Sequence, residues 1–189
     1  MKTIKLFAVL CCAVVCIFTF SSCKKDANDP QTPEQSEQKT TVKPVAARMD
    51  YTLNVTDQMR EVADINVSFY DKDGQLQTEQ LTSNTWNKVM EAALPAKLGV
   101  QVKLALKADF DSTRYDVFTA LRNYHYEAYC IDADGKKCDA GETGDINTPV
   151  PMASDKIEAF ITKYSTKPLI QTLYTIDAEG NFTYHSEWE

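Results

Sequence analysis

Apolar and polar residues alternate along much of the chain from residue 51 onward. The clearest run is Val100, Val102, Leu104 and Leu106, which alternate with Gln101, Lys103, Ala105 and Lys107. Residues 65–70 and 51–55 repeat the pattern over shorter lengths. A period of two is typical of strands with one buried face and one wet face. The sequence therefore predicts a mainly β protein, an antiparallel β-sandwich.

Three short segments follow strand patterns and share one turn signature. They are Asp71-Lys72-Asp73-Gly74, Asp132-Ala133-Asp134-Gly135 and Asp177-Ala178-Glu179-Gly180. Glycine supplies the positive φ of a three-residue hairpin loop, and the leading aspartate can accept hydrogen bonds from the turn backbone. We expect a β-hairpin at each of them.

The turns also predict which residues face each other. At the last turn, the three-residue loop sets Ile176 opposite Phe182 and Tyr174 opposite Tyr184, and would bring Trp188 opposite Ile170. At the first turn, that loop sets Phe69 opposite Gln77, whereas a four-residue loop sets it opposite Leu76. Both registers of the first hairpin stay open.

One segment has a helical period instead. Ile157, Phe160, Ile161 and Tyr164 share one helix face, Ser154 can cap the start, and Lys167-Pro168 ends the pattern. We expect one short α-helix near residues 154–165, packed across a sheet or an open end of the sandwich.

The N-terminus has the features of a secretory signal. Lys2 and Lys5 precede an uncharged apolar run over residues 6–20, which is shorter than the roughly 20 residues of a spanning helix. Small residues and a cysteine follow, as Phe20-Ser21-Ser22-Cys23. This tetrapeptide resembles the lipobox of bacterial lipoproteins, in which the cysteine is acylated and becomes the mature N-terminus. The resemblance implies a lipoprotein signal peptide over residues 1–22 and a lipid anchor on Cys23.

Residues 23–48 form the next segment, which contains Pro30, Pro33 and Pro44 with many Gln, Thr and Lys and no aromatic residue. Such a composition cannot bury enough apolar surface to fold, so we expect a flexible tether that carries the lipid. Residues 49–189 would then be a single β-sandwich domain.

Charge narrows the range of partners. Of 189 residues, 20 are Lys or Arg and 27 are Asp or Glu, a net charge of -7. Removal of residues 1–22 takes away Lys2 and Lys5 and no acid, which leaves 18 basic residues and a net charge of -9. Nucleic-acid binding needs a surplus of basic residues, so we expect no nucleic-acid partner. Membrane association would come from the lipid.

The cysteines divide by position. Cys11, Cys12 and Cys16 lie in the signal segment, Cys23 carries the lipid, and Cys130 and Cys138 remain. The middle hairpin places Cys130 opposite Cys138, so we expect a cross-strand disulfide in an exported protein, with two thiols as the alternative.

The chemistry available for a site is limited. No glycine-rich phosphate loop is present, and neither His125 nor His185 is paired in sequence with a nucleophile, so we expect no enzymatic activity and no cofactor. Acidic residues cluster after the middle turn, and turn chemistry explains them better than calcium does; they are Asp132, Asp134, Asp139 and Glu142.

Tyrosines supply the remaining candidates. Tyr124, Tyr126 and Tyr129 fall on both faces of one strand, so at least one is expected to be exposed. Exposed aromatic rings stack on sugars and anchor protein partners. We therefore expect these three as ligand-binding aromatics, with a surface tyrosine of no function as the alternative.

Taken together, the lipobox, the tether and the strand rhythm resemble small Bacteroidetes-type outer-membrane lipoproteins with an immunoglobulin-like or transthyretin-like β-sandwich. The resemblance implies a protein anchored by lipid in the outer membrane, on the cell surface or the periplasmic face. We expect a non-enzymatic binding or adhesion module for a glycan or protein ligand. The alternatives are a structural or assembly subunit of a surface appendage or envelope complex, and a small hydrolase.

Overall fold

The computed structural model describes residues 42–188, apart from the side chains of residues 139 and 140. The predicted signal peptide at residues 1–22, Cys23 and most of the tether lie outside the described residues.

Strands make up most of the described residues. The strands are β1 (Ala46–Asn54), β2 (Ala63–Tyr70), β3 (Leu76–Gln80), β4 (Thr85–Ala93), β5 (Ala96–Leu106), β6 (Val117–Ile131), β7 (Lys137–Ala153), β8 (Ile170–Ile176) and β9 (Phe182–Tyr184). The α-helices are α1 (Asp57–Val62) and α2 (Ile157–Thr166), and short 3-10 turns span Ser112–Arg114 and Ser154–Lys156.

The strands form two antiparallel sheets. Sheet A has the order β4-β1-β6-β7 and sheet B the order β3-β2-β5-β8-β9. Their inner faces enclose one apolar core, in which Met49, Val67 and Val100 are fully buried. The predicted antiparallel β-sandwich is confirmed.

The connections differ between the two ends of the sandwich. At one end, the turn end, lie the three hairpins and the short Leu94-Pro95 link between β4 and β5. At the other, the crossover end, every connection passes from one sheet to the other. The chain enters β1 at the turn end, where the Val45 N–H bonds to the Ile131 carbonyl at 2.9 Å.

The three predicted turns share one geometry. In each, one oxygen of the leading aspartate accepts backbone N–H bonds from the residues two and four positions later, at 2.8 to 3.0 Å. The glycines Gly74, Gly135 and Gly180 have φ of 71°, 76° and 88°. The turn chemistry read from the sequence is confirmed.

The registers are partly as predicted. Ile176 faces Phe182 and Tyr174 faces Tyr184. The first hairpin takes the three-residue loop, since Phe69 pairs with Gln77. The pairing of Trp188 with Ile170 is wrong, because β9 ends at Tyr184 and the chain then crosses the outer face of sheet B. Trp188 instead stacks on the ring of Tyr70 at 5.2 Å.

Helix α1 was not predicted, and it completes the crossover end of sheet A. Strand β1 stops at Asn54, whereas β6 extends beyond it. The helix supplies acceptors there: Gln58 Oε1 accepts the Thr119 N–H at 2.8 Å, and Met59 Sδ accepts the Leu121 N–H at 3.1 Å.

Helix α2 confirms the predicted helix near residues 154–165, and it packs against β5. Ile157 and Ile161 on its apolar face are fully buried. The predicted cap is wrong, because Ser154 begins a 3-10 turn and Lys156 occupies the N-cap position without a side-chain bond.

The folded domain begins slightly before the predicted boundary at residue 49. Strand β1 starts at Ala46, and Ala47 is fully buried. Alanines carry too little apolar surface to mark a strand by themselves, so the pattern in sequence starts later than the strand.

The predicted disulfide is absent from the structure. Cys130 and Cys138 are thiols with no S–S bond between them. Ile131 pairs with Lys137 and Tyr129 pairs with Gly141, so Cys130 faces a bulge of residues 138–140 that contains Cys138. A bulge changes the direction of neighbouring side chains, and a disulfide tolerates little misalignment.

The two thiols are expected to react at different rates. Cys130 is buried, and this burial raises the pKa of its thiol, whereas Cys138 is half-buried. Because the thiolate is the reactive form, iodoacetamide should label Cys138 first. Mass spectrometry of peptides from a time course measures this order. Equal rates, or resistance of both thiols until a reductant is added, would contradict the structure at this hairpin.

Candidate functional site

The tyrosines predicted as ligand contacts separate between the two faces of β6. Tyr126 is buried in the core, and its hydroxyl bonds to the Tyr174 hydroxyl at 2.9 Å. Burial raises the pKa of Tyr126, so its hydroxyl stays protonated. Tyr124 is half-buried on the same inner face, with its ring stacked against Tyr51 at 5.7 Å. Tyr126 is therefore a core residue and is not a ligand contact.

Tyr129 lies on the outer face of sheet A. Its hydroxyl donates to Asp50 at 3.0 Å, and the Lys137 ammonium lies 4.5 Å from its ring centre. Since Lys137 covers the ring, Tyr129 contributes a polar contact to this face and no stacking platform.

The residues considered as calcium ligands form no metal site in the described part of the chain. The carboxylate of Asp132 accepts hydrogen bonds from two backbone N–H groups of its own turn, at 2.9 and 2.8 Å. The side chain of Asp139 lies outside the described residues. Among the described residues, no three His, Cys, Asp or Glu side chains come together as metal ligands. Turn chemistry accounts for Asp132.

The two histidines are far apart in the fold. His125 lies on the outer face of sheet A, with Nδ1 3.8 Å from the carboxylate of Asp145. His185 follows β9 in sheet B, with Nε2 2.8 Å from the Thr175 hydroxyl. The structure does not combine them in one site.

The outer face of sheet A is largely polar. We call it the polar face; its members are Arg48, Asp50, Thr52, Asn54, Asn87, Val89, Glu91, Asn123, His125, Glu127 and Tyr129. They share this face because alternate residues of β1, β4 and β6 point outward. At its centre is a depression of about 430 Å³ that includes Arg48, Asn87 and His125 in its lining.

Hydrogen bonds across strands hold the amide groups of this face in place. The Thr52 hydroxyl donates to Asn87 Oδ1 at 2.8 Å, and Asn54 Nδ2 donates to Asn123 Oδ1 at 3.1 Å. An amide has two donors and two acceptor lone pairs, so each retains capacity for a ligand. At the end nearest the turns, Arg48 Nε bonds to Asp50 at 3.0 Å.

A second depression lies around the edge of the same sheet. We call it the edge cleft; it occupies about 480 Å³ between β3 and β4, and its lining includes Phe69, Gln77, Glu79, Lys88 and Met90. The Lys88 ammonium lies 4.2 Å from the centre of the Phe69 ring. The cleft thus has an aromatic floor beneath a charged group.

One carboxylate connects the two sheets at this cleft. Glu79 on β3 accepts from Lys88 Nζ at 2.6 Å and from Trp86 Nε1 at 2.9 Å, both on β4. These two bonds hold the pKa of Glu79 below its usual value. Inward-pointing charges on edge strands also hinder pairing with another chain, so this side is protected from edge-to-edge association.

The polar face and the edge cleft meet at β4. Lys88 and Val89 line both depressions, and Val89 is 55% exposed. A ligand could therefore lie along the polar face and continue around β4 into the cleft.

The outer face of sheet B is covered. Residues 185–188 cross it, with the Gln171 amide bonded to the Ser186 carbonyl at 2.7 Å and Trp188 stacked on Tyr70. In residues 42–188, no segment covers the polar face in this way. The larger depression of about 540 Å³ at the turn end is lined by Lys72, Asp73 and Gly74 of the first turn, by Asp177 of the last turn, and by residues of β4, β5, β8 and β9.

The amino-acid sequence alone does not mark these residues as a site. Asn87 meets Thr52 and His125, which are distant from it in sequence, because of the order of strands in sheet A, whereas Glu79 meets Lys88 between the two sheets. The sequence feature that could have indicated the site is Lys88, a charged residue at an inward-facing position of β4 between the buried Trp86 and Met90.

Comparison with family models, curated proteins and solved structures finds no match to this chain. Across residues 42–188, neither helix has the length and apolar character needed to cross a membrane.

Proposed function

We propose that the protein is a lipid-anchored, non-enzymatic module of the cell envelope that binds a glycan through the polar face and the edge cleft. The observation that supports this most is the junction of the two depressions at Lys88 and Val89, on strands of a rigid sheet. Sites built on strands hold their groups more accurately than sites on loops.

The chemistry of the surface suits a ligand rich in hydroxyl groups. A sugar hydroxyl both donates and accepts, as do the amides of Asn87 and Asn123 and the hydroxyl of Thr52. Val89 offers an apolar contact for a sugar ring, and the Phe69 ring lies below Lys88 in the cleft. Ligand sites combine an apolar surface with a few fixed polar groups in this manner.

The charges of the polar face favour a neutral ligand there. The carboxylates of Asp50, Glu91 and Glu127 are matched by the cations of Arg48, of Lys137, which bonds to Glu127, and of Lys88 in the lining of the depression. A surface of little net charge offers no general attraction to a polyanion.

The point of entry of the chain is compatible with an anchored module. Residues 42–45 reach the domain at the turn end, beside Ile131 and Leu94, whereas the polar face runs along the side of sheet A. Entry of the chain at the turn end keeps residues 42–45 clear of the polar face.

Replacement of Asn87 by alanine should weaken glycan binding about tenfold. The variant removes one or two hydrogen bonds to the ligand, each contributing about 1 kcal/mol. A glycan array identifies the oligosaccharides that the protein retains, and calorimetry then compares the two proteins. The matched control is Asn66→Ala, the same truncation on the outer face of sheet B.

Three outcomes would count against the proposal. They are retention of no glycan, equal losses in Asn87→Ala and Asn66→Ala, and hydrolysis of a retained glycan that disappears in His125→Ala. The third would identify a hydrolase.

A specific feature of β7 favours the second candidate, an assembly role in which this edge pairs with a strand of a partner. Strand β7 is the edge of sheet A and has β6 on one side only. Edge strands with unpaired backbone groups are templates for strand addition. The edges at β3 and β4 carry the inward charges of Glu79 and Lys88, which β7 lacks over residues 143–147.

The direction of the backbone bonds of β7 follows from α1. Thr119 and Leu121 donate their N–H groups to α1, away from β7, and they pair with Pro151 and Pro149. Odd-numbered residues of β7 therefore point their backbone groups outward, and the two prolines remove donors from one half of this edge. Gly141, Thr143, Asp145 and Asn147 keep theirs.

Proline substitutions in β7 distinguish a loss of pairing with a partner strand from a loss of folding stability. Asp145→Pro removes an outward N–H and should leave the free energy of unfolding within about 1 kcal/mol, whereas Ile146→Pro removes a bond to β6 and should cost about 3 kcal/mol or more. Urea denaturation measures both. Crosslinking in cells then compares Asp145→Pro with the native protein. Unchanged crosslinked complexes in Asp145→Pro would contradict assembly through β7.

A further inference from the structure

Arg122 is an unusual residue of the sandwich interior. It lies on β6 between Ala120, which is fully buried, and Tyr124, and it points to the same inner face as both. The side chain is half-buried, and its Nε atom is buried without a hydrogen-bond partner in the described part of the chain.

Other arginines of the domain contrast with it. Arg48 bonds to Asp50 through Nε, and Arg60 donates to Asn84 Oδ1 at 3.0 Å and to the Thr82 carbonyl at 2.7 Å. Within residues 42–188, no ion pair within 4 Å includes Arg122. A buried donor without a partner requires an explanation, such as an ordered water or a bound ion.

Its neighbours supply hydrogen-bond donors and aromatic surface. Thr148 is the cross-strand partner of Arg122, and Ile146 is that of Tyr124. The Arg122 charge acts on the Tyr124 hydroxyl and opposes the rise that burial causes in the pKa of Tyr124. Tyr184, which is 56% exposed, acts electrostatically on the same hydroxyl from β9. Arg122, Tyr124, Thr148 and Tyr184 therefore lie on one side of the sandwich, between the edges β7 and β9.

We propose that this group is a binding site for the carboxylate of a small organic anion. The Arg122 guanidinium pairs with the carboxylate, the hydroxyls of Tyr124 and Thr148 donate to it, and the rings of Tyr124 and Tyr184 contact the body of the ligand.

The class of ligand follows from the shape of the guanidinium. Nε–H and a neighbouring Nη–H form a planar fork that matches the two oxygens of a carboxylate. Because Nε has no accessible surface in this structure, the side chains that cover this edge of the guanidinium must move aside before the carboxylate reaches it. The aromatic rings and Ile146 favour an anion with an apolar or ring-shaped body over a bare inorganic ion.

This site is separate from the proposed glycan surface. The polar face is the outer side of sheet A, and the edge cleft lies at β3 and β4, on the opposite side of the sandwich from β7 and β9. Failure of either proposal leaves the other unaffected.

The test follows the Arg122 Nε–H signal by NMR during titration of the protein with benzoate. Benzamide is the matched neutral probe, sulfate is the inorganic probe, and Arg122→Gln assigns the signal. Arg122→Lys keeps the charge without the planar fork, so it tests the geometry if the glutamine variant is unstable.

We expect a saturable shift of the Arg122 Nε–H signal with benzoate, and binding of benzamide and of sulfate that is weaker by about tenfold or more. Benzoate should bind several-fold more weakly to Arg122→Lys, and also to the native protein at about 0.5 M salt. The proposal is overturned if benzamide or sulfate binds as tightly as benzoate. It is also overturned if benzoate produces no saturable shift, or if Arg122→Gln folds and keeps the same affinity.

Discussion

Replacement of Gly144 by alanine is expected to destabilise the protein by about 2 to 4 kcal/mol. Gly144 on β7 lies opposite Tyr126 on β6, and the Tyr126 ring rests directly over the glycine. A Cβ atom at residue 144 would lie 2.3 Å from Tyr126 Cε1 and 2.9 Å from the Tyr126 hydroxyl oxygen. The ring would have to move.

The Tyr126 ring has little freedom to move. It stacks on Tyr51 with 5.8 Å between ring centres and an interplanar angle of 6°, and its hydroxyl bonds to Tyr174 on the facing sheet. Displacement therefore costs packing and also breaks a buried hydrogen bond between the sheets. A polar atom buried without its partner costs about 1 to 3 kcal/mol.

Urea denaturation of Gly144→Ala measures this effect. Thr143→Ala is the control, because it alters the next residue of the same strand on the exposed outer face. The control should remain within about 0.5 kcal/mol of the native protein. Equal stability of the Gly144 and Thr143 variants would show that the Tyr126 ring is not held between the sheets.

The second large effect is expected for Gly180→Ala, at about 2 to 4 kcal/mol. Gly180 has φ of 88°, which is unfavourable for any residue with a side chain. An added Cβ atom would also lie 2.9 Å from Pro44 Cγ and 3.1 Å from Cys130 Sγ. The turn between β8 and β9 is thus packed against the segment through which the chain enters the domain.

Gly135→Ala is a matched control for this prediction. Gly135 occupies the same position of the same turn, with φ of 76°, but a Cβ atom there would meet no atom within 4 Å. It should therefore show only the backbone cost, about 1 kcal/mol. The difference in the free energy of unfolding between the two variants isolates the contacts with Pro44 and Cys130. If the two variants are equally stable, those contacts do not constrain the turn.

The turns and the main strands could be predicted because their causes are local. Asp177 and Gly180 specify their hairpin within five residues, and this fixes the pairing of Ile176 with Phe182. The first hairpin could not be assigned from burial, because every residue of β3 is exposed. The turn geometry alone sets its register.

The missed elements depend on tertiary context. Helix α1 has only six residues, and its stability comes from bonds to β6 and from the burial of Met59 and Val62. Strand β7 continues through Pro149 and Pro151, which argue against a strand unless its edge is known to face solvent.

The candidate sites were less predictable than the fold. Tyr126 and Tyr129 are three residues apart, yet one is in the core and the other is beneath Lys137. The polar face combines β1, β4 and β6, and the order of strands in a sheet is not encoded by any one segment. Arg122 differs from the other arginines only in its surroundings, which sequence does not show.

We propose that the open face of sheet A and the adjoining cleft form the ligand site. The most direct measurement is NMR chemical-shift mapping of the protein during titration with the oligosaccharide that the array retains most strongly. We predict that the largest shifts occur at Thr52, Asn87, Lys88, Val89 and His125, which line the depression at the centre of the polar face. Shifts concentrated instead in residues 107–116 at the crossover end, with the polar face unchanged, would contradict the claim.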